Sequence, residues 1–157
     1  MRWGLLVAIF AIAFGVGGLI ILYMRLDLSA VQQPGRTGEY LRTRLTRAVI
    51  RRRAAREDIP APPMDRETNM SITDGKMVYD NDCASCHGPD GHNPTPAGKG
   101  MLPRTVPLDS STVQSYSDRE LFSIVRDGIR FTGMPGFAGN ETSDQIWHVV
   151  DYLRSLR

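Results

Sequence analysis

The chain has 157 residues and two cysteines, which stand three positions apart in Cys83-Ala84-Ser85-Cys86-His87 with a histidine directly behind the second. That spacing constrains the surrounding fold more than any other feature. Two thiols one helical turn apart reach two neighbouring vinyl groups on one edge of a porphyrin, and thioether bonds to both bring His87 beneath the iron. A neutral imidazole then gives one ring nitrogen to the metal and leaves the other to a hydrogen-bond acceptor that fixes the tautomer. The predicted cofactor is one covalent haem c, with Cys83 and Cys86 as attachment sites and His87 as an iron ligand. With both thiols used this way, none remains for a disulfide.

Two other chemistries compete for the same residues. A dithiol redox centre wants its Cys-x-x-Cys after a strand in an alternating strand and helix pattern, and none surrounds Cys83. A zinc ion would need Cys83, Cys86, His87 and His92, but adjacent Cys86 and His87 point apart and suit one tetrahedral centre poorly. Haem attachment also implies assembly outside an energy-conserving membrane, so the N-terminus is where an export signal belongs.

Trp3 to Met24 is a run of 22 residues without charge, long enough as a helix to cross a hydrocarbon core of about 30 Å. Arg25 and Asp27 follow at once, and only Leu28-Ser29-Ala30 resembles a cleavage site; an uncleaved anchor is expected. Arg25, Arg36, Arg42 and Arg44 follow the span and Arg2 alone precedes it. Charge bias by itself would keep that flank cytoplasmic. The haem motif requires the opposite orientation, and covalent chemistry outweighs a statistical bias.

Composition then divides the chain into four parts: residues 1–25 as a transmembrane anchor, 26–56 as a basic juxtamembrane segment, 57–70 as a Pro-rich linker and 71–157 as the haem domain. Residues 1–70 hold 11 Lys and Arg against 6 Asp and Glu, and residues 71–157 hold 8 against 11. The basic segment reads either as a membrane-surface helix with a partial Leu41, Leu45, Ala48, Val49 stripe or as a solvated connector. Nucleic acid is excluded as a partner, since an exported basic segment beside a bilayer meets anionic lipid or acidic protein first. Ile59-Pro60-Ala61-Pro62-Pro63 cannot continue a helix and reads as a semi-rigid spacer.

The last 87 residues predict an all-α domain. A short helix opens near Gly75 and runs into Cys83. Ser117-Asp118-Arg119-Glu120 and Thr142 to Gln145 are capping boxes for two more helices. Leu121, Ile124 and Val125 face inward on the first, with Arg119, Ser123, Arg126 and Asp127 on its polar side. Ile146, Val149, Val150, Leu153 and Leu156 face inward on the second, with His148 on its solvated side and Trp147 and Tyr152 as packing aromatics. His92 lies in a Gly and Pro rich loop and reads as a surface residue.

Gly75 and Tyr79 before Cys83-x-x-Cys86-His87-Gly88, then Gly133-Met134-Pro135, then an aromatic-bearing last helix, resemble the class I c-type cytochromes over these 87 residues. The resemblance implies that the first and last helices cross near the haem, with Gly75 permitting close approach and Tyr152 packing against it. It implies a methionine as sixth ligand: Met134 holds that place, with Met101, His92 and an open position as rivals. It also implies that a proline carbonyl, of Pro103 or Pro107, accepts the proton of His87. The implied function is single-electron transfer between redox protein partners on the outer face of a bacterial cytoplasmic membrane, as a mobile carrier and not an enzyme. The alternatives are a fixed subunit of a quinol-oxidising or terminal-oxidase complex and, more distantly, a haem sensor or catalytic haem protein.

Overall fold

Arg2–Arg25 forms one uninterrupted helix, α1, as expected of an uncharged run with neither proline nor a polar break. The stretch Leu6–Arg25 is long and apolar enough to cross a membrane. The computed structural model describes residues 2–25 and 35–157, and all regular structure among them is helical. The Leu28-Ser29-Ala30 stretch lies outside the described residues. α1 belongs to one unit and residues 35–157 to a second. The second contains α2 (Arg36–Arg56), α3 (Asn69–Asp82), α4 (Ala84–His87), α5 (Pro96–Gly100), α6 (Ser111–Gln114), α7 (Asp118–Asp127) and α8 (Ser143–Ser155).

The starts of α7 and α8 follow directly from the sequence. Ser117 and Glu120 close one reciprocal capping box, and Thr142 and Gln145 close the other, each satisfying two backbone N–H groups that a helix start leaves unpaired. α8 lies across α3, and the crossing is tight at Gly75. A Cβ there would fall 1.9 Å from the His148 carbonyl oxygen, so no other residue fits without separating the helices. One turn further, Tyr79 is fully buried with its ring 4.9 Å from that of Tyr152. Ile146, Val149, Val150 and Leu153 complete the inner face of α8.

The basic segment is neither a solvated connector nor a helix free on all sides. α2 packs on α7, burying Ile50 and Ala54. Its arginines find partners on the side of α7 whose pattern reads as solvated. Arg53 donates to Ser123 Oγ at 2.9 Å, to the Ser123 carbonyl at 2.8 Å and to the Gly128 carbonyl at 3.0 Å. Arg51 donates to Glu120 at 3.1 Å, and Arg119 returns a bond to the Ala54 carbonyl at 2.7 Å. The polar stripe of α7 is therefore an internal seam, with Ser123 fully buried.

Residues 57–68 do not form a free spacer either. The proline run is non-helical as predicted, but Ile59 is buried and the Pro60 carbonyl accepts from Trp147 Nε1 at 3.1 Å. Glu57 accepts from Ser123 Oγ at 2.8 Å and pairs with Arg126 at 2.8 Å. Further along, Arg66 lies over the Trp147 ring at 4.7 Å and reaches Asp151 Oδ1 at 2.6 and 2.8 Å. His148 is also not solvated. Its side chain is 12% exposed, with Nε2 3.3 Å from Asp65 Oδ1, because this strap covers the face that a helical wheel assigns to water.

Asp118 joins the strap to α8 by accepting from Arg66 at 3.1 Å and Arg154 at 2.7 Å. Burial alone would raise its pKa, but these two guanidinium groups outweigh it and hold the carboxyl below its ordinary value. A folded-state pKa below the unfolded one contributes stability above the unfolded value, and that contribution is lost as pH falls through the folded value. The melting temperature is expected to drop as pH falls below about 4. In Asp118→Asn, a thermal melt followed by circular dichroism should start lower at neutral pH and show a shallower acid slope.

Candidate haem site

The attachment motif sits where α3 gives way to α4. Cys83 caps both: its N–H donates to the Tyr79 carbonyl at 2.9 Å, and its carbonyl accepts from His87 N–H at 2.9 Å. The single turn Ala84–His87 places Cys83, Cys86 and His87 on one wall of a cavity. Gly88, at φ +83°, then turns the chain, and its carbonyl accepts from Tyr79 Oη at 2.6 Å. The following loop folds back onto the motif. Thr95 N–H donates to the Cys86 carbonyl at 3.1 Å, and Gly98 lies so close that a Cβ would stand 2.2 Å from that oxygen.

The cavity holds about 370 Å³. Leu121, Ile124, Val125, Phe137, Val149 and Leu153 supply apolar wall, and Met101 and Met134 also line it. Met134 is presented by a loop closed on itself: Gly128, at φ +68°, would bring a Cβ within 2.6 Å of the Met134 carbonyl oxygen, and Ile129 N–H donates to that oxygen at 3.1 Å. Met101 lies against the same loop, with its sulfur 2.1 Å from where a Cβ on Gly133 would sit. His92 is on the surface, 43% exposed, and pairs through Nδ1 with Asp109 at 3.0 Å. It does not line the cavity.

Burial lowers the proton affinity of the His87 imidazole against the opposing pull of the Val106 backbone, so the ring is neutral at physiological pH and free to donate electrons to a metal. Its Nδ1 is buried without a partner in hydrogen-bond geometry. The backbone acting on the ring is that of Val106, next to Pro107. Burial pushes the Cys83 thiol up to about 12, the reverse of the lowered value that a thiolate-based redox or zinc centre needs. The two cysteines are not bonded to each other. A buried, protonated Cys83 thiol with Cys86 beside it, a neutral imidazole and thioether sulfurs around one apolar cavity fit a haem.

One wall was not legible from the motif. Glu39, Arg42, Thr43 and Thr46 of α2 line the same cavity, with Arg42 and Glu39 paired to each other. The available signal is the inward stripe Thr43, Thr46, Ile50 and Ala54, which repeats at three and four residues opposite the leucines.

This architecture defines a small c-type cytochrome domain. Residues 71–153 match the family described as cytochrome c oxidase, cbb3-type, subunit III, and the chain belongs to that family. Membership brings haem c and an electron-transfer role. A chain of the reducing HAO-like protein complex of Kuenenia stuttgartiensis shares the fold, at a TM-score of 0.57 and 24% identity over 64% of this chain. The match spans 49% of that chain, about half its length. No curated protein matches the sequence. α2 and the strap precede the family match, and α2 nonetheless supplies one wall of the cavity.

Arg53→Ala removes three hydrogen bonds that hold α2 on α7. The expected cost is about 2 kcal/mol or more of stability, read from denaturant unfolding. The same variant should show faster hydrogen exchange at the buried amides of α7.

Proposed function

We propose that the chain carries one haem c, attached through Cys83 and Cys86 and ligated by His87 and Met134, and passes single electrons between redox proteins. Its place is the outer face of a bacterial cytoplasmic membrane, with α1 as the anchor. The observation that carries the reading is the convergence of a neutral buried imidazole, both attachment thiols and the Met134 loop on one apolar cavity.

The bound haem supplies an iron that changes oxidation state by one electron. The chain's residues do the rest. His87 is oriented by the single turn of α4 and kept neutral by burial. Met134 is held by a short closed loop, and its soft sulfur favours the reduced metal. Leu121, Val125, Phe137 and Val149 exclude water, which limits the solvent rearrangement that accompanies a change of charge. With His87 and Met134 both holding the group, the iron would be closed to substrate, in keeping with a carrier.

A second reading, a fixed subunit of a terminal-oxidase or quinol-oxidising complex, is favoured by the family's own description and by the packed strap, which removes the spacer that a swinging head requires. Purification in mild detergent separates the two. Stoichiometric copurification with other chains supports the subunit, and a monodisperse monomer supports the shuttle.

Carbon monoxide tests the ligand set, since it binds ferrous haem only where a coordination position is open. The spectrum of the reduced protein should not change on exposure to it, Met134→Leu should give a strong shift, and Met101→Leu should behave as the parent. A shift in Met101→Leu alone would transfer the ligand role to Met101. A shift in the parent protein would move the reading to a sensor or catalyst.

A further inference from the structure

We propose that the outward face of α2 lies on an anionic lipid surface and thereby fixes how the haem-bearing head is presented. The inference rests on the reading of α1 as a membrane anchor.

The inward face of α2 is fully engaged: Ile50 and Ala54 are buried on α7, and Arg53 is committed to Ser123 and Gly128. The opposite face is not. Leu41, Leu45 and Val49, four residues apart, are 54, 67 and 65% exposed and form one stripe. Arg44, Arg52 and Arg56 are exposed on the same side. At 100° per residue no carboxylate falls on that face. Glu39, the acidic residue of α2, is nearly half a turn away and paired with Arg42.

A purely solvated helix has no use for three exposed aliphatics in register, and a second copy of this face would set arginines against arginines. An anionic bilayer surface suits both parts of the pattern: the aliphatics enter the headgroup and acyl boundary while the guanidinium groups pair with phosphate. Position along the chain agrees. Ten residues separate the end of α1 from the start of α2, a reach of at most about 35 Å, so a helix anchored by α1 stays near the bilayer. Because α2 is fastened to α7, seating it orients the whole head.

The test uses the full chain in vesicles, with a nitroxide on Leu45→Cys and a control nitroxide on Asn140→Cys, read by accessibility to oxygen and to a water-soluble nickel chelate. In phosphatidylglycerol vesicles the oxygen-to-nickel ratio at position 45 should rise about threefold or more over phosphatidylcholine vesicles. The rise should disappear in about 1 M salt, which screens the attraction, and in Arg44→Glu/Arg52→Glu, while position 140 stays aqueous throughout. If the protein floats with the vesicles but position 45 stays open to nickel in both lipids, docking is overturned and the anchor survives. If position 45 is shielded from both reagents, a protein covers the face and the lipid proposal fails. A protein that does not float with vesicles overturns the anchor reading and docking with it.

Discussion

A carboxylate with 1% of its side chain exposed, Asp151, is the point on which the arrangement of this domain turns. A buried charge is tolerable only when paired and fully hydrogen-bonded, and the partners of Asp151 come from two elements other than its own, the strap and α3. Arg66 of the strap reaches Oδ1, while Ser71 Oγ of α3 and Glu67 N–H donate to Oδ2 at 2.6 and 3.0 Å. Satisfying this one group therefore requires the strap to lie along α8 and the first turn of α3 to sit beside it. With α3 so placed, Gly75 meets the His148 carbonyl, Tyr79 meets Tyr152, and the helix ends with Cys83 at the cavity wall.

From that frame the site acquires its electrostatics. Next to Cys83, Asp82 and Glu141 stand close together. Burial and the neighbouring Asp82 carboxyl raise the Glu141 pKa above the ordinary carboxylate value. The cavity lining is mainly aliphatic and aromatic with fewer polar groups among it, a composition that favours a large apolar cofactor over a bare metal ion. No cluster of three or more metal-ligating side chains occurs among the described residues.

Much of this was legible in the sequence wherever the signal is local. The cysteine pair with His87 and the two capping boxes follow from spacing over a few residues, while the glycine at the helix crossing and the Gly-Met-Pro loop are implied by the resemblance to class I c-type cytochromes. What the sequence reading missed depends on contacts across long stretches of chain. Arginines of α2 read as a solvated face because nothing nearby in sequence shows that Arg53 has Ser123 and Gly128 waiting 70 and 75 positions on. The proline run was rightly read as non-helical and wrongly read as free, since Ile59 is the residue that docks it. His148 looked solvated because a helical wheel knows nothing of Asp65 on a strap that crosses above it. Asp151 was overlooked on an otherwise apolar face, and a lone acid in that setting is the sequence's own sign of a distant basic partner.

Arg53 has a mechanical consequence. Its guanidinium bonds both to α7 at Ser123 and to the carbonyl of Gly128, the glycine at the base of the loop that presents Met134. The outer helix and the methionine loop are thus joined by a lever one side chain long. A load applied to α2 reaches the base of the Met134 loop through hydrogen bonds, and that loop is closed on itself by Ile129 N–H and the Met134 carbonyl, so contacts made on the outside of the protein and the placement of Met134 in the cavity are not independent variables.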